Sequence, residues 1–366
     1  MTPYDFSQLA TLINTNSYTK NKAGVDEVGR MYCEILEPLG FSVTRYEREH
    51  IGDHLHFQSA KGPGSKLLLL GHLDTVFPPN TFTDFKEDDD WIYGPGVCDM
   101  KGGNHVAIEA LKTVLHEHGQ IKNIDMLLVS DEETGSDDSK FVSAQIAKQY
   151  DACMVFEAAG IKDEIVIGRK GAGTFTIDIK GKAAHAGNNY MLGANANLAA
   201  AHMIIALTAL TDVEAGSTVN AGKMSGGIGA NTISPKAKIV VELRYTQQTE
   251  RDRLLAALND IVNTEYVAGV TCELSGDIQR DVMQPSDEQA QFLKHLESIT
   301  GETFLFEKRG GVSDANVTSS AGLPTLDGFG PFGDGDHTIH ERACKKSFNR
   351  RINQVSMILL DYNGVK

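Results

Sequence analysis

Leu67-Leu68-Leu69-Leu70-Gly71-His72-Leu73-Asp74-Thr75 is the stretch that decides how this chain folds. Four consecutive leucines leave no polar side to face water, so the run reads as a strand buried on both faces of a parallel sheet. It stops at a glycine and leads at once into a histidine and an aspartate. The same order recurs twice. Met126–Val129 leads into Ser130-Asp131-Glu132-Glu133-Thr134-Gly135, and Met154–Phe156 leads into Glu157. Between the first two lies Gly94-Pro95-Gly96-Val97-Cys98-Asp99-Met100-Lys101-Gly102-Gly103. In open α/β sheets, ligands bind at the loops leaving the strand carboxyl ends. His, Asp and Glu in those loops suit divalent metals. The pattern therefore predicts a metal site at the carboxyl edge of a sheet.

Working outward, Val25–Leu39, Asn104–His118 and Ser139–Tyr150 carry helical spacing, with Gly40 and Gly119 as stops for the first two. Strands alternating with helices imply βαβ units around a mainly parallel sheet. The pattern changes near Gly168. Thr174–Lys180 alternates polar and apolar, the mark of a strand with one solvated face. A long Ala-rich helix over Ala194–Thr211, a strand over Ile239–Tyr245 and a helix over Thr249–Tyr266 follow. After about Asp277 the chain returns to helix and Gly-rich loops, notably Arg309-Gly310-Gly311-Val312-Ser313-Asp314 and Gly328–His337, and closes on a helix over Ser347–Tyr362. The expected fold class is α/β. Residues 1–167 and 278–366 form a discontinuous catalytic domain on a mainly parallel sheet, interrupted by an inserted α+β domain of residues 168–277.

A length of 366 residues fits about two domains at roughly 150 residues each. The net charge of −15, with no Lys/Arg stripe to offset it, argues against a nucleic-acid partner. Met1–Phe6 shows no basic and apolar leader pattern, and no run approaches the ~20 apolar residues of a membrane span. Cys33, Cys98, Cys153, Cys272 and Cys344 are odd in number and scattered, which reads as reduced thiols in a cytoplasmic protein.

His72 and Asp74, two apart in an extended segment, point to the same side, so Asp74 can accept the imidazole's second N–H. Asp99 follows a tight Gly-Pro-Gly turn that can present both of its oxygens to different metals. Glu132 and Glu133 are adjacent, and neighbours rarely bind one ion, so a division into one ligand and one general base is natural. Glu157 supplies a further ligand. The second histidine comes from His337-Thr338-Ile339-His340-Glu341. Three carboxylates and one hydroxide balance two Zn²⁺, with two neutral imidazoles completing the set. Any one of these residues alone is more often surface than site; their joint placement after apolar strands is what carries weight.

His72-Leu73-Asp74, Gly94-Pro95-Gly96 with Asp99-Met100-Lys101-Gly102-Gly103, and Asp131-Glu132-Glu133-Thr134-Gly135 resemble the signatures of the M20 metallopeptidase family. The resemblance implies a dinuclear-zinc exopeptidase fold with an inserted lid and dimerisation domain. It implies two Zn²⁺, with Co²⁺ or Mn²⁺ as substitutes. One takes His72 and Glu157, the other Glu133 and a C-terminal histidine, and Asp99 bridges. Glu132 is then the base and Asp74 the residue behind His72. The family pattern of a His with a Glu four positions later selects His337 with Glu341, leaving His340 as the fallback. Lys180–Gly187 resembles the lid loop whose histidine, here His185, reaches a partner subunit's site and stabilises the oxyanion. Asn231, Arg244 and Gly311 match substrate contacts; for Arg244 a surface salt bridge is the competing reading. Phe156-Glu157, Gly168-Arg169-Lys170-Gly171 and Asn231-Thr232-Ile233-Ser234 lie nearest the glutamate carboxypeptidase branch. The implied reaction is hydrolysis of an amide next to a free carboxylate, on a small peptide or N-acyl amino acid, by a homodimer. An N-acyl-amino-acid deacylase or dipeptidase is the rival within enzymes, and a non-catalytic binder the rival outside them. No GxGxxG follows the first strand, which excludes a dinucleotide-binding oxidoreductase.

Overall fold

The computed structural model describes residues 5–364; Met1–Tyr4, part of the stretch read above for a leader, lie outside them. In chain order the elements begin with α1 (Ser7–Ile13), α2 (Lys22–Leu36), β1 (Ser42–Tyr46), β2 (His54–Gln58), β3 (Leu67–His72), β4 (Lys86–Glu87) and β5 (Trp91–Tyr93). They continue with α3 (Lys101–His118), β6 (Ile124–Val129), α4 (Ser139–Ala147), β7 (Ala152–Val155) and β8 (Ile165–Arg169). Next come β9 (Gly171–Lys180), α5 (Ala196–Thr208), β10 (Thr218–Gly226), β11 (Lys236–Tyr245), α6 (Gln248–Asn263) and β12 (Thr271–Arg280). The chain ends with α7 (Asp287–Thr300), β13 (Phe306–Arg309), α8 (Ala315–Ser320), β14 (Thr325–Leu326), β15 (Gly333–Asp334), β16 (Arg342–Cys344) and α9 (Lys345–Tyr362). Contacts divide the chain at Arg169/Lys170 and Gln284/Pro285, against the expected 168–277.

The first unit is built on a six-stranded sheet in the order β1-β2-β6-β3-β7-β14. Its four strands β6, β3, β7 and β14 run parallel, and β1 and β2 add an antiparallel edge. Every residue of β3 is buried, as the leucine run requires, because helices cover both faces of such a sheet. Two expected helix ends move for identifiable reasons. The helix expected to run to Leu39 stops at Leu36 and passes into a 3-10 turn, where Pro38 cannot donate to a helix ladder. α3 starts at Lys101 instead of Asn104. Gly102 and Gly103 are taken into its first turn because the helix lies against other backbone: a Cβ there would meet the carbonyl oxygens of Val97 at 1.9 Å and Phe156 at 1.8 Å.

The second unit has the order β-α-β-β-α-β and an antiparallel sheet β10-β11-β9-β12. Alternation in β9 is realised: Phe175, Ile177 and Ile179 face the core with Ile239, Val241 and Leu243 of β11, Met203 of α5 and Leu258 of α6. β10 has no counterpart among the expected strands. Its outer half is exposed, as befits an edge strand, and holds Met224 as its one large apolar side chain, so it carries no apolar alternation. β12 keeps the sheet going to Arg280, past the point where a return to helix was expected.

Candidate metal centre and its surroundings

The carboxyl ends of the parallel strands converge. His72 is the last residue of β3, Glu132 and Glu133 lie in a 3-10 turn three to four residues after β6, and Glu157 follows β7 by two. Asp99 stands before α3, and its peptide bond to Met100 is cis. His337 comes from the loop between β15 and β16. His72 Nε2 lies 3.0 Å from Asp99 Oδ1 and 3.8 Å from Glu157 Oε1. His337 Nε2 lies 3.2 Å from Asp99 Oδ2 and 3.2 Å from Glu133 Oε2. Two ligand groups result among the described residues, His72–Asp99–Glu157 and Asp99–Glu133–His337, each with its ligand atoms within 4.8 Å of one another. Asp99 belongs to both. His340, the fallback, is exposed, and its backbone N–H donates to Thr338 Oγ1 within the loop.

The electrostatics show the strain of gathering carboxylates away from water. Burial, then the Asp99 charge, pushes Glu133 up to about 8. Burial and Asp99 also hold Glu157 well above the carboxylate range. Glu132, itself buried, adds to both through its charge. Burial disfavours a charged His72, yet its neighbours Asp74 and Asp99 hold it well above an ordinary imidazole. Hydrogen bonds to Asp99 and Glu133 push His337 up to about 11. Glu133 Oε1 is buried with no hydrogen-bond partner, an atom that needs a positive neighbour. Three carboxylates and two imidazoles with one orphaned oxygen form a donor set that fits two divalent cations, whose charge would relieve the mutual repulsion.

Around this centre the structure adds partners. His72 Nδ1 meets the backbone carbonyl of Asp74 at 3.0 Å, while the Asp74 carboxylate is 3.4 Å away. The expected imidazole–carboxylate contact is thus shared with a main-chain oxygen. Asp74 Oδ2 accepts instead from Thr19 Oγ1 at 2.7 Å and from the Glu133 N–H at 3.2 Å, joining the two ligand groups. Asn104 Nδ2 donates to the His72 carbonyl at 2.8 Å. Glu341 is buried, and its carboxylate accepts from the N–H groups of Gly96, Cys98 and Asp99 at 2.9–3.0 Å, pinning the Asp99 loop to the His337 loop. The His-x-x-x-Glu spacing signalled Glu341. Nothing local signalled Thr19 or Asn104, whose partners lie 55 and 32 residues away.

The remaining expected residues have partners of their own. The Gly311 carbonyl accepts from Arg169 Nη1 at 3.1 Å, in a buried network where Arg169 Nε and Ser313 Oγ both donate to Asp327 Oδ2. In the second unit, His185 bridges to Thr232, and the Ala186 N–H donates to the Asn231 carbonyl at 2.9 Å. His185 Nδ1 accepts from the N–H groups of Gly187 and Asn188 at 3.1 Å, which leaves Nε2 to carry the ring proton. Arg244 donates to Glu242 Oε1 on its own strand at 2.7 Å. It stands eight residues beyond Lys236, roughly 26 Å along β11, from the end where Asn231 and His185 sit. One copy of this unit keeps Arg244 apart from the other two.

A family described as peptidase family M20/M25/M40 matches residues 68–361. Carboxypeptidase G2 of Pseudomonas sp. (strain RS-16) is 27% identical over 377 residues, spanning 100% of this chain and 90% of its own. Succinyl-diaminopimelate desuccinylase of Xylella fastidiosa (strain 9a5c) is 27% identical over 368 residues, 93% of each chain. Among solved structures, aminopeptidase PepT of Bacillus cereus ATCC 10987 superposes with a TM-score of 0.79 at 22% identity, covering 98% of this chain and 97% of that one, a likeness of fold. Among the described residues no helix is long and apolar enough to cross a membrane.

Proposed function

The chain belongs to peptidase family M20/M25/M40 and is a hydrolase of the metallopeptidase kind, and from that premise we propose that it hydrolyses an amide bond next to a free carboxylate, as a carboxypeptidase releasing C-terminal amino acids such as glutamate. The observation that carries the metal-dependent reading is Asp99, whose two oxygens face two imidazoles at 3.0 and 3.2 Å. His72, Asp99 and Glu157 would hold one Zn²⁺; Asp99, Glu133 and His337 would hold the other, with Co²⁺ or Mn²⁺ able to replace them. Bound there, such ions would polarise the scissile carbonyl and lower a water's pKa to about 7.

The chain's own groups do the rest. Glu132 takes the proton of the attacking water on its carboxylate and hands it to the leaving amine nitrogen. Asp74 and the carbonyl beside it fix His72 in the tautomer that presents Nε2 to the ion. His185 donates a hydrogen bond from its Nε2–H to the oxyanion, and Asn231 and Arg244 bind the substrate carboxylate. Because Arg244 is far from His185 and Asn231 on one copy of the unit, a homodimer suits these roles better than a monomer. Five unpaired cysteines fit a reducing, cytoplasmic setting.

A desuccinylase is also 27% identical, over 93% of this chain, so acyl-group removal is the second reading. A panel of dipeptides and N-acyl amino acids, offered to the zinc-loaded protein with released amine measured, decides between them. Strong preference for Glu or Asp at the C-terminal position is the expected result. Indifference there with selectivity for the acyl group would overturn the carboxypeptidase reading in favour of a deacylase.

A further inference from the structure

His337 has to be aimed from an exposed loop. Its side chain is 59% exposed, yet its ring reaches two carboxylates at 3.2 Å. The other imidazole needs no such aiming, since His72 ends a strand whose six residues are all buried. The loop Gly335–Glu341 joins β15 to β16, and β15 has only two ladder pairs to hold it. The bonds of Thr338 to Gly335 and of His340 to Thr338 stay inside the loop and tie it to nothing else. Glu341 anchors the inner side.

Next to His337, the Asp336 carboxylate accepts a hydrogen bond from the Cys98 thiol, and one further side chain spans the base of the loop. Arg342, opposite Asp334 in the ladder, sets a two-point fork on that carboxylate, Nε to Oδ1 at 2.8 Å and Nη2 to Oδ2 at 3.0 Å. The same guanidinium lies 4.1 Å from the ring centre of Trp91 on β5, the chain's only tryptophan. Trp91 in turn meets Phe332, the residue before β15, edge-on at 6.1 Å. A planar guanidinium can fork a carboxylate and stack on a ring at once; an ammonium, a point charge on a flexible stem, has no planar fork with which to do both.

We propose that Arg342 and Trp91 are positioning residues for His337: by holding the base of the Gly335–Glu341 loop closed, they keep the Asp99–Glu133–His337 group in ligating geometry. The inference rests on the two-metal reading above. It implies a one-sided effect, because the His72 group meets this hairpin only through Asp99, whose loop Glu341 holds without the Arg342 fork.

The test is a Co²⁺ titration of the full-length, metal-stripped chain, followed by visible absorption and by metal content. The wild type is expected to bind two Co²⁺. Arg342→Ala is expected to keep one tight site and to lose about 10–100-fold in affinity at the second. Arg342→Lys, which retains the charge without the fork, is expected to behave like Arg342→Ala. Should either variant fold poorly by circular dichroism, Asp334→Asn is expected to give the same one-sided loss. Two sites of wild-type affinity in these variants, or equal weakening of both, would overturn the clamp. A wild-type chain that binds fewer than two Co²⁺ would overturn the two-metal reading itself, and the clamp with it.

Discussion

At the scale of single residues, one buried group outside the metal centre has a measurable consequence. His105, on the α3 turn that follows Gly103, packs between Phe6 and Phe348 with ring centres 5.7 and 6.1 Å away, and neither of its nitrogens has a hydrogen-bond partner. Burial, aided by Lys112, pushes its pKa down to about 3. The folded chain therefore keeps it neutral, while the unfolded chain protonates it near 6.5. Between pH 6.5 and 3 the unfolded state binds the extra proton, so stability falls as pH falls through that window. His105→Leu is expected to remove this share, about 2–3 kcal/mol at pH 4.5 and nothing at pH 7 beyond the packing change. Urea unfolding of both proteins at the two pH values checks it, and an unchanged difference would contradict the buried, neutral assignment. The metal-centre residues were legible for a different reason. His72, Asp99, Glu132, Glu133 and Glu157 each follow an apolar run or a glycine turn, so chain order alone brings them to one edge. Thr19 and Asn104 were not legible, because hydroxyls and amides are common and only the folded path shows which one meets Asp74 or the His72 carbonyl.

At the scale of elements, legibility followed burial. β3, β6 and β7 carry near-continuous apolar runs, broken only by Asp125 and the terminal His72, because helices cover both faces, and β9 alternates because one of its faces is wet. β10 escaped notice because only Val219 and Ala221 at its inner end reach the core, too few to show a period. The small sheet β15-β16-β5-β4 escaped for another reason: strands of two or three residues are too short for any period to show. That small sheet is nonetheless what carries the His337 loop and the Arg342 fork, so the weakest local signal belongs to the piece that completes the second ligand group. Gly102 and Gly103 point the same way. They stand ahead of the apolar period that marks the helix, yet they form its first turn, pressed against the Val97 and Phe156 carbonyls, one residue short of Glu157.

At the scale of the whole molecule, the second unit has a core of its own, and it exposes Leu198 and Ile205 on α5, Met224 on the edge strand β10, and Ile228 just beyond it. Apolar side chains beside an open strand edge are what a self-associating surface presents. Residues 170–284 expressed alone are expected to fold by circular dichroism and to run as a dimer in light scattering; a folded monomer would contradict assembly through this unit. The central claim, however, is that the strand-end acids are divided between holding metal and moving a proton. Its most direct test is Glu132→Gln, with metal content and amide hydrolysis measured on the same sample. Two bound metals with turnover lowered about 10²–10⁴-fold is the expected result. Turnover equal to the wild type would contradict the account.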